Sequence, residues 1–321
     1  MVTRQHPLRM LVTGGTGFLG RQVVALLLSE GCYVAVASVP QQAGTADLPV
    51  VSFVCDVRDR ESLTQVIEQA APHVVFHLAG LARGDDLAEL MSVNVLGTRM
   101  LLDAVRQMPK PPIVVIPGSA AEYGLPVDRQ PINESAALRP ISAYGVSKVA
   151  QSLLGQGYAL RGDVPVIVGR IFNILGPGEP ASMLCGAMAA QVVECEAGVS
   201  PPVVRVGNLS PIRDYVDVRD AARALWRLAL DGAPGAIYNI CSGQARRVEE
   251  VVQQLVALSS KEIELLPDPE RQRPADIPYC VGNPDRLHSA TGWSAEFSLE
   301  DSLQATLAWW RNERAQIAAL A

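Results

Sequence analysis

Residues Met10-Leu-Val-Thr-Gly-Gly-Thr-Gly-Phe-Leu-Gly20 join a short apolar run to a helix-patterned segment, and they decide the fold. Their glycines Gly14, Gly17 and Gly20 stand three residues apart. Such glycines allow a tight turn, let the backbone approach a pyrophosphate and let the helix pack closely on the strand, while the helix N-terminus supplies amide donors and positive potential. The stretch therefore predicts a dinucleotide-binding loop. The loop residues expected to contact the dinucleotide are Gly14, Thr16, Gly17, Phe18 and Leu19.

Short apolar runs and helix-patterned segments alternate along the first half of the chain. Strands are predicted at 10–13, 33–37, 50–54, 73–78, 113–116 and 164–170, and helices at 22–29, 62–70, 86–108 and 143–160. Because the strands are continuously apolar, they fit a parallel sheet that is covered on both faces. We therefore predict an α/β fold with a doubly wound parallel sheet of the Rossmann type.

After Asn173 the alternation of strand and helix patterns becomes less regular, and proline becomes more frequent. We expect residues 1–172 to form the dinucleotide-binding domain and residues 173–321 to form a smaller C-terminal α/β lobe that binds substrate.

The composition excludes several classes of protein. The chain has 321 residues, and its 27 basic and 33 acidic residues give a net charge of −6, the wrong sign for attraction to nucleic acid. Its six cysteines contain no CxxC pair and, with four histidines, no zinc-like cluster, so no metal is expected. The first residues lack a signal-peptide core, and no apolar run reaches membrane-spanning length. We therefore expect a cytoplasmic, reducing setting without a membrane partner.

Tyr144-Gly-Val-Ser-Lys148 places a phenol and an ammonium four residues apart on one face of a helix. A neighbouring cation favours the phenolate, so a tyrosine in this position becomes a usable acid or base. Ser119 stands at the end of another predicted strand. In a chain that also carries the glycine-rich loop, Ser119, Tyr144 and Lys148 are the candidate catalytic residues, and Tyr144 and Lys148 are also candidate cofactor contacts.

The end of the second strand bears on the choice between NAD and NADP. An acidic residue there pairs with the ribose hydroxyls of NAD and repels a 2′-phosphate, but this chain has Ser38. Without the acid NADP(H) is favoured, and NAD(H) stays possible because no adjacent arginine demands the phosphate.

Five motifs in order make the sequence similar to the extended short-chain dehydrogenase/reductase family over essentially the whole chain. They are Thr13–Gly20, His77–Gly80, Asn94–Gly97, Tyr144 with Lys148, and Arg213–Val216. The resemblance implies that Ser119 orients a substrate carbonyl and that Asn94 holds the active-site helix. The further dinucleotide contacts that it implies are Asp56 and Val57 at the adenine, Leu78, Ala79 and Gly80 along the dinucleotide, and Ile171 near the nicotinamide. It also implies that residues 213–242 return to the dinucleotide-binding domain.

Family members that bind nucleotide sugars imply the substrate residues. By position, these are Ser119 at the sugar, Asn173, Arg213 and Arg273 at or near the diphosphate, and Asp276 near the nucleotide ribose. Arginine suits such a role because its forked, charge-assisted donors match a phosphate. The expected partner is therefore a nucleotide-diphosphate sugar.

The residues after Ser119 bear on the reaction. Dehydratases and decarboxylases of the family resemble one another in carrying a glutamate two residues before the YG tyrosine, and many dehydratases carry an aspartate before that glutamate; this chain has Ala120 and Ala121. An alanine cannot move a proton, so 4,6-dehydration is disfavoured. Glu122 stands one residue later than the glutamate of those enzymes, so its side chain is expected to point to the other side and to be structural. The remaining motifs look most like the family's GDP-4-keto-6-deoxy-D-mannose reductases, which implies reduction of a C4 ketone.

Three alternatives stay open. A reductase of a dTDP-4-keto-6-deoxyhexose would use the same catalytic residues, because the irregular segment 183–202 does not reveal which base it recognises. A nucleotide-sugar 4-epimerase would retain bound NAD. A non-catalytic NADP sensor is a remote alternative, since such proteins typically lose the tyrosine or the lysine.

The resemblance also implies a homodimer, formed through the predicted helices 86–108 and 143–160. Leu90, Val93, Leu101 and Val105 form an apolar stripe on the first of these helices. Periodicity alone fits either a dimer contact or packing against the sheet.

Overall fold

The computed structural model describes residues 7–39, 48–126, 128–271 and 277–320. Its strands are β1 Arg9–Thr13, β2 Tyr33–Ser38, β3 Val51–Val54, β4 Val74–His77, β5 Ile113–Ser119, β6 Val166–Ile171, β7 Asn173–Leu175, β8 Val203–Val206, β9 Ile212–Arg213, β10 Tyr215–Asp217, β11 Ile237–Ile240, β12 Arg246–Arg247, β13 Glu264–Pro267 and β14 Tyr279–Cys280. Its helices are α1 Phe18–Ser29, α2 Arg60–Ala70, α3 Leu87–Leu90, α4 Gly97–Val105, α5 Ala143–Leu160, α6 Leu184–Glu196, α7 Val218–Asp231, α8 Val248–Ala257, α9 Asp285–Thr291 and α10 Leu299–Leu320.

Seven strands form the main sheet in the order β3-β2-β1-β4-β5-β6-β11, and every neighbouring pair is parallel. The strands β4, β6 and β11 are buried along their whole length, as continuously apolar strands require. The predicted fold class, an α/β doubly wound parallel sheet, is confirmed.

Helices cover both faces of this sheet. On one face α1 and α7 pack together through a cluster that includes Leu27 and Leu225. On the other face, Leu63 of α2 and Leu101 of α4 belong to a second cluster with Tyr158 of α5. The apolar stripe of the predicted helix 86–108 is mostly core: Leu90, Leu101 and Val105 are fully buried, and Val93 is partly buried.

The predicted single helix at 86–108 is divided in three. A π-helical segment, Met91–Leu96, separates α3 from α4. Within it the carbonyl of Asn94 accepts a hydrogen bond from the Thr98 hydroxyl at 2.6 Å, and the Asn94 side chain bonds to the backbone of Leu81. Wider π-helical turns often occur at functional sites, and here the turn carries a residue that the sequence had singled out.

Three small sheets, β7 with β10, β8 with β13, and β9 with β12 and β14, lie outside the main sheet. Helices α6, α8 and α10 share a separate apolar cluster that includes Val192, Val252 and Leu303. Between α6 and α8 the chain returns to the main sheet, where α7 packs on α1 and β11 adds the seventh strand beside β6. Among the described residues no helix is both long and apolar enough to cross a membrane.

A buried ion pair joins the ends of β5 and β6. Glu122 is fully buried, and its carboxylate accepts from Nε of Arg170 at 2.7 Å, from the Ser152 hydroxyl and from the Ser119 backbone amide. The guanidinium of Arg170 also donates to the hydroxyl of Tyr123 at 3.2 Å and stacks over its ring. Glu122 is therefore structural, as the sequence predicted.

We expect Arg170→Met to destabilise the protein by about 3–5 kcal/mol, because the buried carboxylate of Glu122 would lose its counter-charge. Arg99→Met is the control, since Arg99 pairs with Asp103 on the surface and its loss should cost less than about 1 kcal/mol. The free energy of unfolding, measured with urea, compares the two variants. Equal losses would contradict the importance of the buried pair.

Candidate active site

Of the predicted site residues that the structure describes, those at the ends of β1, β4, β5 and β6 lie at one edge of the main sheet. Because neighbouring strands are parallel, their carboxyl ends lie side by side, and Thr13 at the end of β1 pairs with His77 at the end of β4. Ser119 at the end of β5 likewise pairs with Ile171 at the end of β6. This carboxyl edge is where a doubly wound sheet binds ligands.

The glycine loop has the close packing that a dinucleotide site needs. Gly14 has a φ of +71°, and a Cβ there would meet the Ala79 backbone nitrogen at 2.7 Å. A Cβ on Gly20 would meet the Gly14 carbonyl oxygen at 2.1 Å, so the helix and the loop approach as only glycines permit. Gly17 begins α1 without a side-chain cap, so the amides of the first turn are available to a phosphate. The loop therefore fits a dinucleotide.

The remaining loop residues, Thr16, Phe18 and Leu19, lie at the start of α1, where Thr16 is buried and the other two are half-buried. Leu78, Ala79 and Gly80 follow β4 and run beside the loop, where the Ala79 amide donates to the Thr13 hydroxyl at 3.2 Å. Contact of these residues with a dinucleotide remains a prediction.

Three residues, Ser38, Asp56 and Val57, are predicted to lie at the adenine end of the dinucleotide. Ser38 ends β2, and its carbonyl accepts from the Cys55 amide at 3.0 Å. Asp56 forms an ion pair with Arg58 at 2.6 Å, and this hydrogen bond lowers the pKa of the Asp56 carboxyl. Val57 is largely buried and packs in the core. Arg58 lies in the segment between β3 and α2 and was not predicted.

Ser119 and Tyr144 form the centre of the site. Ser119 caps a short 3₁₀ turn, and its hydroxyl accepts from the Ala121 amide at 3.1 Å. Tyr144 lies in the first turn of α5, which Ser142 caps. Burial raises the pKa of the Tyr144 phenol; a hydrogen bond with Ser119 partly opposes the rise, and the charge of Glu122 adds to it. The phenol is therefore protonated at neutral pH and can act as an acid.

The Lys148 ammonium is buried one turn further along α5. It donates to the carbonyl of Pro117 and to the side-chain oxygen of Gln151. Burial lowers the pKa of Lys148 to about 8, against the opposing effect of Glu122. In the structure the hydrogen bond with Ser119 lowers the pKa of Tyr144, and the predicted effect of Lys148 on this pKa stays a prediction. Gln151 was not predicted, because its contact with Lys148 carries no recognisable motif.

Asn94 connects the π-helical turn to α5. Its side-chain amide donates to the Ser147 hydroxyl at 3.1 Å, and its side-chain oxygen accepts from the Leu81 amide at 2.8 Å. A direct bond thus joins Asn94 to the helix that carries Tyr144 and Lys148.

A cleft of about 340 Å³ opens between the sheet edge and the C-terminal lobe. Of the predicted substrate residues, Asn173 and Arg213 line it, and the Asn173 amide donates to the Asp214 carbonyl at 2.9 Å. Arg273 and Asp276 lie outside the described residues. Arg83 and Arg271 also line the cleft and were not predicted. Three arginines around one cleft suit a ligand that carries a diphosphate.

Glu179 is a further unpredicted residue of the cleft. It is buried, and its carboxyl oxygen Oε1 accepts from the Cys185 amide at 3.0 Å. Burial raises the pKa of Glu179 to about 8. No local sequence pattern signals this burial, because it depends on how the loop before α6 folds against the lobe.

The chain is similar to known proteins over most of its length. The model of the NAD dependent epimerase/dehydratase family matches residues 10–241. The GDP-6-deoxy-D-mannose reductase of Pseudomonas aeruginosa is 32% identical, with 95% of this chain and 97% of the relative covered. The dTDP-6-deoxy-L-talose 4-dehydrogenase (NAD(P)(+)) of Kitasatospora kifunensis is 27% identical, with 93% and 94% covered. The solved structure of RMD from Pseudomonas aeruginosa with NADPH superposes with a TM-score of 0.84 at 30% identity, covering 95% of this chain and 99% of that one.

The match extends over most of the chain and includes the glycine loop, Ser119, Tyr144 and Lys148. It agrees with the sheet order and with the similarity over full length to a solved structure. The chain therefore belongs to the NAD dependent epimerase/dehydratase family.

Proposed function

We propose that the protein is an NAD(P)H-dependent reductase of the C4 ketone of a nucleotide-linked 4-keto-6-deoxyhexose, which converts GDP-4-keto-6-deoxy-D-mannose to GDP-D-rhamnose. The observation that carries this proposal is that the buried Tyr144 phenol, which is protonated at neutral pH, lies near Ser119 at the carboxyl edge, beside the glycine loop. The similarity to a GDP-6-deoxy-D-mannose reductase supports the choice of substrate.

The nicotinamide, when bound, supplies a hydride. The residues of the chain supply the proton and the geometry. Tyr144 donates its phenolic proton to the oxygen that becomes an alkoxide at C4, and Ser119 donates a hydrogen bond to the same oxygen. The Lys148 ammonium stabilises the negative charge that Tyr144 acquires, since the two side chains lie one turn apart on α5.

The chemistry of the neighbouring residues supports reduction over elimination. Elimination of water from a sugar needs a second acid or base near the ketone. Ala120 and Ala121 have no ionisable group, and the Glu122 carboxylate is fully buried against Arg170 and the Ser119 amide. A ketone reduction needs one proton donor, Tyr144, and no base.

In this proposal residues 1–172, with 213–242 returning, bind the dinucleotide, and residues 173–321 form the substrate lobe. Asn173 and Arg213 contact the diphosphate from the cleft, and Arg273 and Asp276 stay predicted contacts. NADP(H) is the favoured cofactor because Ser38 has no charge to repel a 2′-phosphate; the similar RMD structure, which holds NADPH, agrees with this choice.

A nicotinamide absorbance assay tests the function. Purified protein is mixed with NADPH or NADH, and GDP-4-keto-6-deoxy-D-mannose or dTDP-4-keto-6-deoxyglucose is added. We expect oxidation with the GDP sugar. Oxidation with the dTDP sugar alone would assign the chain to the dTDP-sugar reductases. Inactivity with both sugars, together with NAD released from the denatured protein, would favour a 4-epimerase; inactivity with only weakly held NADP would favour a sensor.

We also propose a cytoplasmic homodimer. The six cysteines, which all lie in the described residues, form no disulfide, in keeping with a reducing compartment. Val146, Leu153 and Leu160 are spaced seven residues apart on α5 and are 40%, 55% and 79% exposed. Leu96, at the start of the neighbouring α4, is exposed as well. An exposed apolar seam at this spacing suits the packing of a second copy of α5.

Replacing Tyr144 with Phe removes the proton donor and keeps the ring. We expect kcat to fall at least about a hundredfold, the usual contribution of general acid catalysis, with the affinity for NADPH nearly unchanged. Tyr158→Phe is the matched control, because Tyr158 lies on the same helix and its hydroxyl donates to Asp103. Unchanged turnover in Tyr144→Phe would refute the catalytic assignment.

Arg213→Ala is expected to weaken substrate binding by about 1.5–3 kcal/mol, because a hydrogen bond to a charged phosphate is lost. The control is Arg205→Ala, since Arg205 is exposed on β8 of the same lobe. Titration calorimetry with GDP-mannose measures both affinities. If Arg213→Ala binds GDP-mannose with wild-type affinity, Arg213 does not contact the phosphate.

Leu153→Glu is expected to convert the dimer to a monomer, because it puts a charge in the centre of the seam. Ile317→Glu is the control, since Ile317 is exposed on α10, away from the seam. Sedimentation velocity measures the mass of each variant. A wild-type protein that sediments as a monomer would overturn the dimer proposal.

A further inference from the structure

A chain of buried hydrogen bonds runs beneath the site, from β1 to Lys148. The Thr13 hydroxyl bonds to Nδ1 of His77 at 2.9 Å, and Nε2 of His77 bonds to the Thr98 hydroxyl at 3.0 Å. Nε2 of Gln151 donates to the same hydroxyl at 2.8 Å, and the side-chain oxygen of Gln151 accepts from the Lys148 ammonium. All five side chains are buried.

The direction of every bond follows from a count of protons. The Thr98 hydroxyl has one proton and donates it to the Asn94 carbonyl at 2.6 Å. Toward His77 and Gln151 it can therefore only accept. His77 must carry its proton on Nε2 and accept at Nδ1 from Thr13.

The same count determines the orientation of the Gln151 amide. Its NH₂ group must face Thr98, which has no proton left to donate to Gln151, so its oxygen must face Lys148. The Lys148 ammonium requires the same orientation, since a flipped amide would point its NH₂ donors at the N–H donors of the ammonium. Burial, with a smaller contribution from Lys148, lowers the pKa of His77 to about 3, so the ring is neutral and holds a single tautomer.

We propose that Gln151 is the positioning residue of Lys148: its amide, held in one orientation by Thr98 and His77, keeps the ammonium at the sheet edge. This inference rests on the proposed function for the role of Lys148 in catalysis, but the contact itself can be tested without substrate. In the described part of the chain, the Pro117 carbonyl also accepts a hydrogen bond from the ammonium. Gln151 thus provides the side-chain acceptor, and Pro117 the backbone acceptor, that hold the Lys148 ammonium at the sheet edge.

In the described part of the chain, charged or titratable groups also lie near Lys148. Glu122 acts from the turn after β5, His77 from the end of β4, and Tyr144 from one turn earlier on α5. None of them is changed by substitution at Gln151, so a change in Lys148 after such a substitution reports on the Gln151 contact.

The first measurement follows the three lysines of the chain, Lys110, Lys148 and Lys261, by ¹³C NMR of protein labelled at lysine Cε. Gln151→Leu removes an acceptor of the charged form and should lower the pKa of Lys148. Gln151→Glu keeps the acceptor, adds a negative charge and should raise it. Thr98→Val should resemble Gln151→Leu, and Thr98→Ser should restore wild-type behaviour. The matched control is Gln156→Leu, because Gln156 lies on the same helix and donates to the Gly235 carbonyl.

The second measurement is the pH dependence of kcat. We expect Gln151→Leu to lower kcat roughly ten- to a hundredfold, the range for one lost hydrogen bond to a charged group, with KM for NADPH much less affected. The alkaline limb of the kcat–pH profile should move to lower pH in Gln151→Leu and to higher pH in Gln151→Glu. If Gln151→Leu does not fold, Gln151→Glu and Thr98→Ser still test the contact.

A Lys148 signal that titrates as in the wild type in both Gln151 variants would overturn the inference. A changed pKa of Lys148 in a protein that reduces neither of the nucleotide-linked 4-keto sugars would instead support the contact and count against the proposed function.

Discussion

The common direction of the seven strands is the constraint on which the site depends. A parallel sheet needs a helical crossover between neighbouring strands, and it places all the carboxyl ends on one edge. The residues that follow β1, β4, β5 and β6 therefore meet there although up to about 160 positions separate them in the chain. The helices that make the crossovers contribute the rest, with the glycine loop at the start of α1 and Tyr144 at the start of α5.

Two buried polar groups support this edge in different ways. The Glu122 carboxylate accepts hydrogen bonds from Arg170 and from the Ser119 backbone amide, so it fixes the end of β5 and does not act as an acid or base. The series of side-chain hydrogen bonds that begins at Thr13 and ends at Lys148 connects β1, β4, α4 and α5. Buried polar groups are costly unless they are fully paired, so both arrangements restrict the site to one geometry.

Prediction from the sequence succeeded where a local pattern has a local physical cause. The glycines of Thr13–Gly20 predicted the loop because only glycine permits the contacts of Gly14 with Ala79 and of Gly20 with Gly14. The displacement of Glu122 by one residue predicted a structural carboxylate. The helix 86–108 was predicted too simply, because the π-helical turn depends on the bond of Asn94 to Leu81, a residue on another segment.

The sequence by itself determined the fold class and the glycine loop and predicted Ser119, Tyr144 and Lys148 as catalytic residues, because apolar periodicity and short motifs act within a few residues. Only the tertiary structure decided which partners these residues have. It joined Lys148 to Gln151, lined the cleft with Arg83 and Arg271, and placed the stripe of Leu90 and Leu101 in the core. These contacts join segments that are far apart in the chain or side chains whose direction depends on packing, and neither is encoded in local spacing.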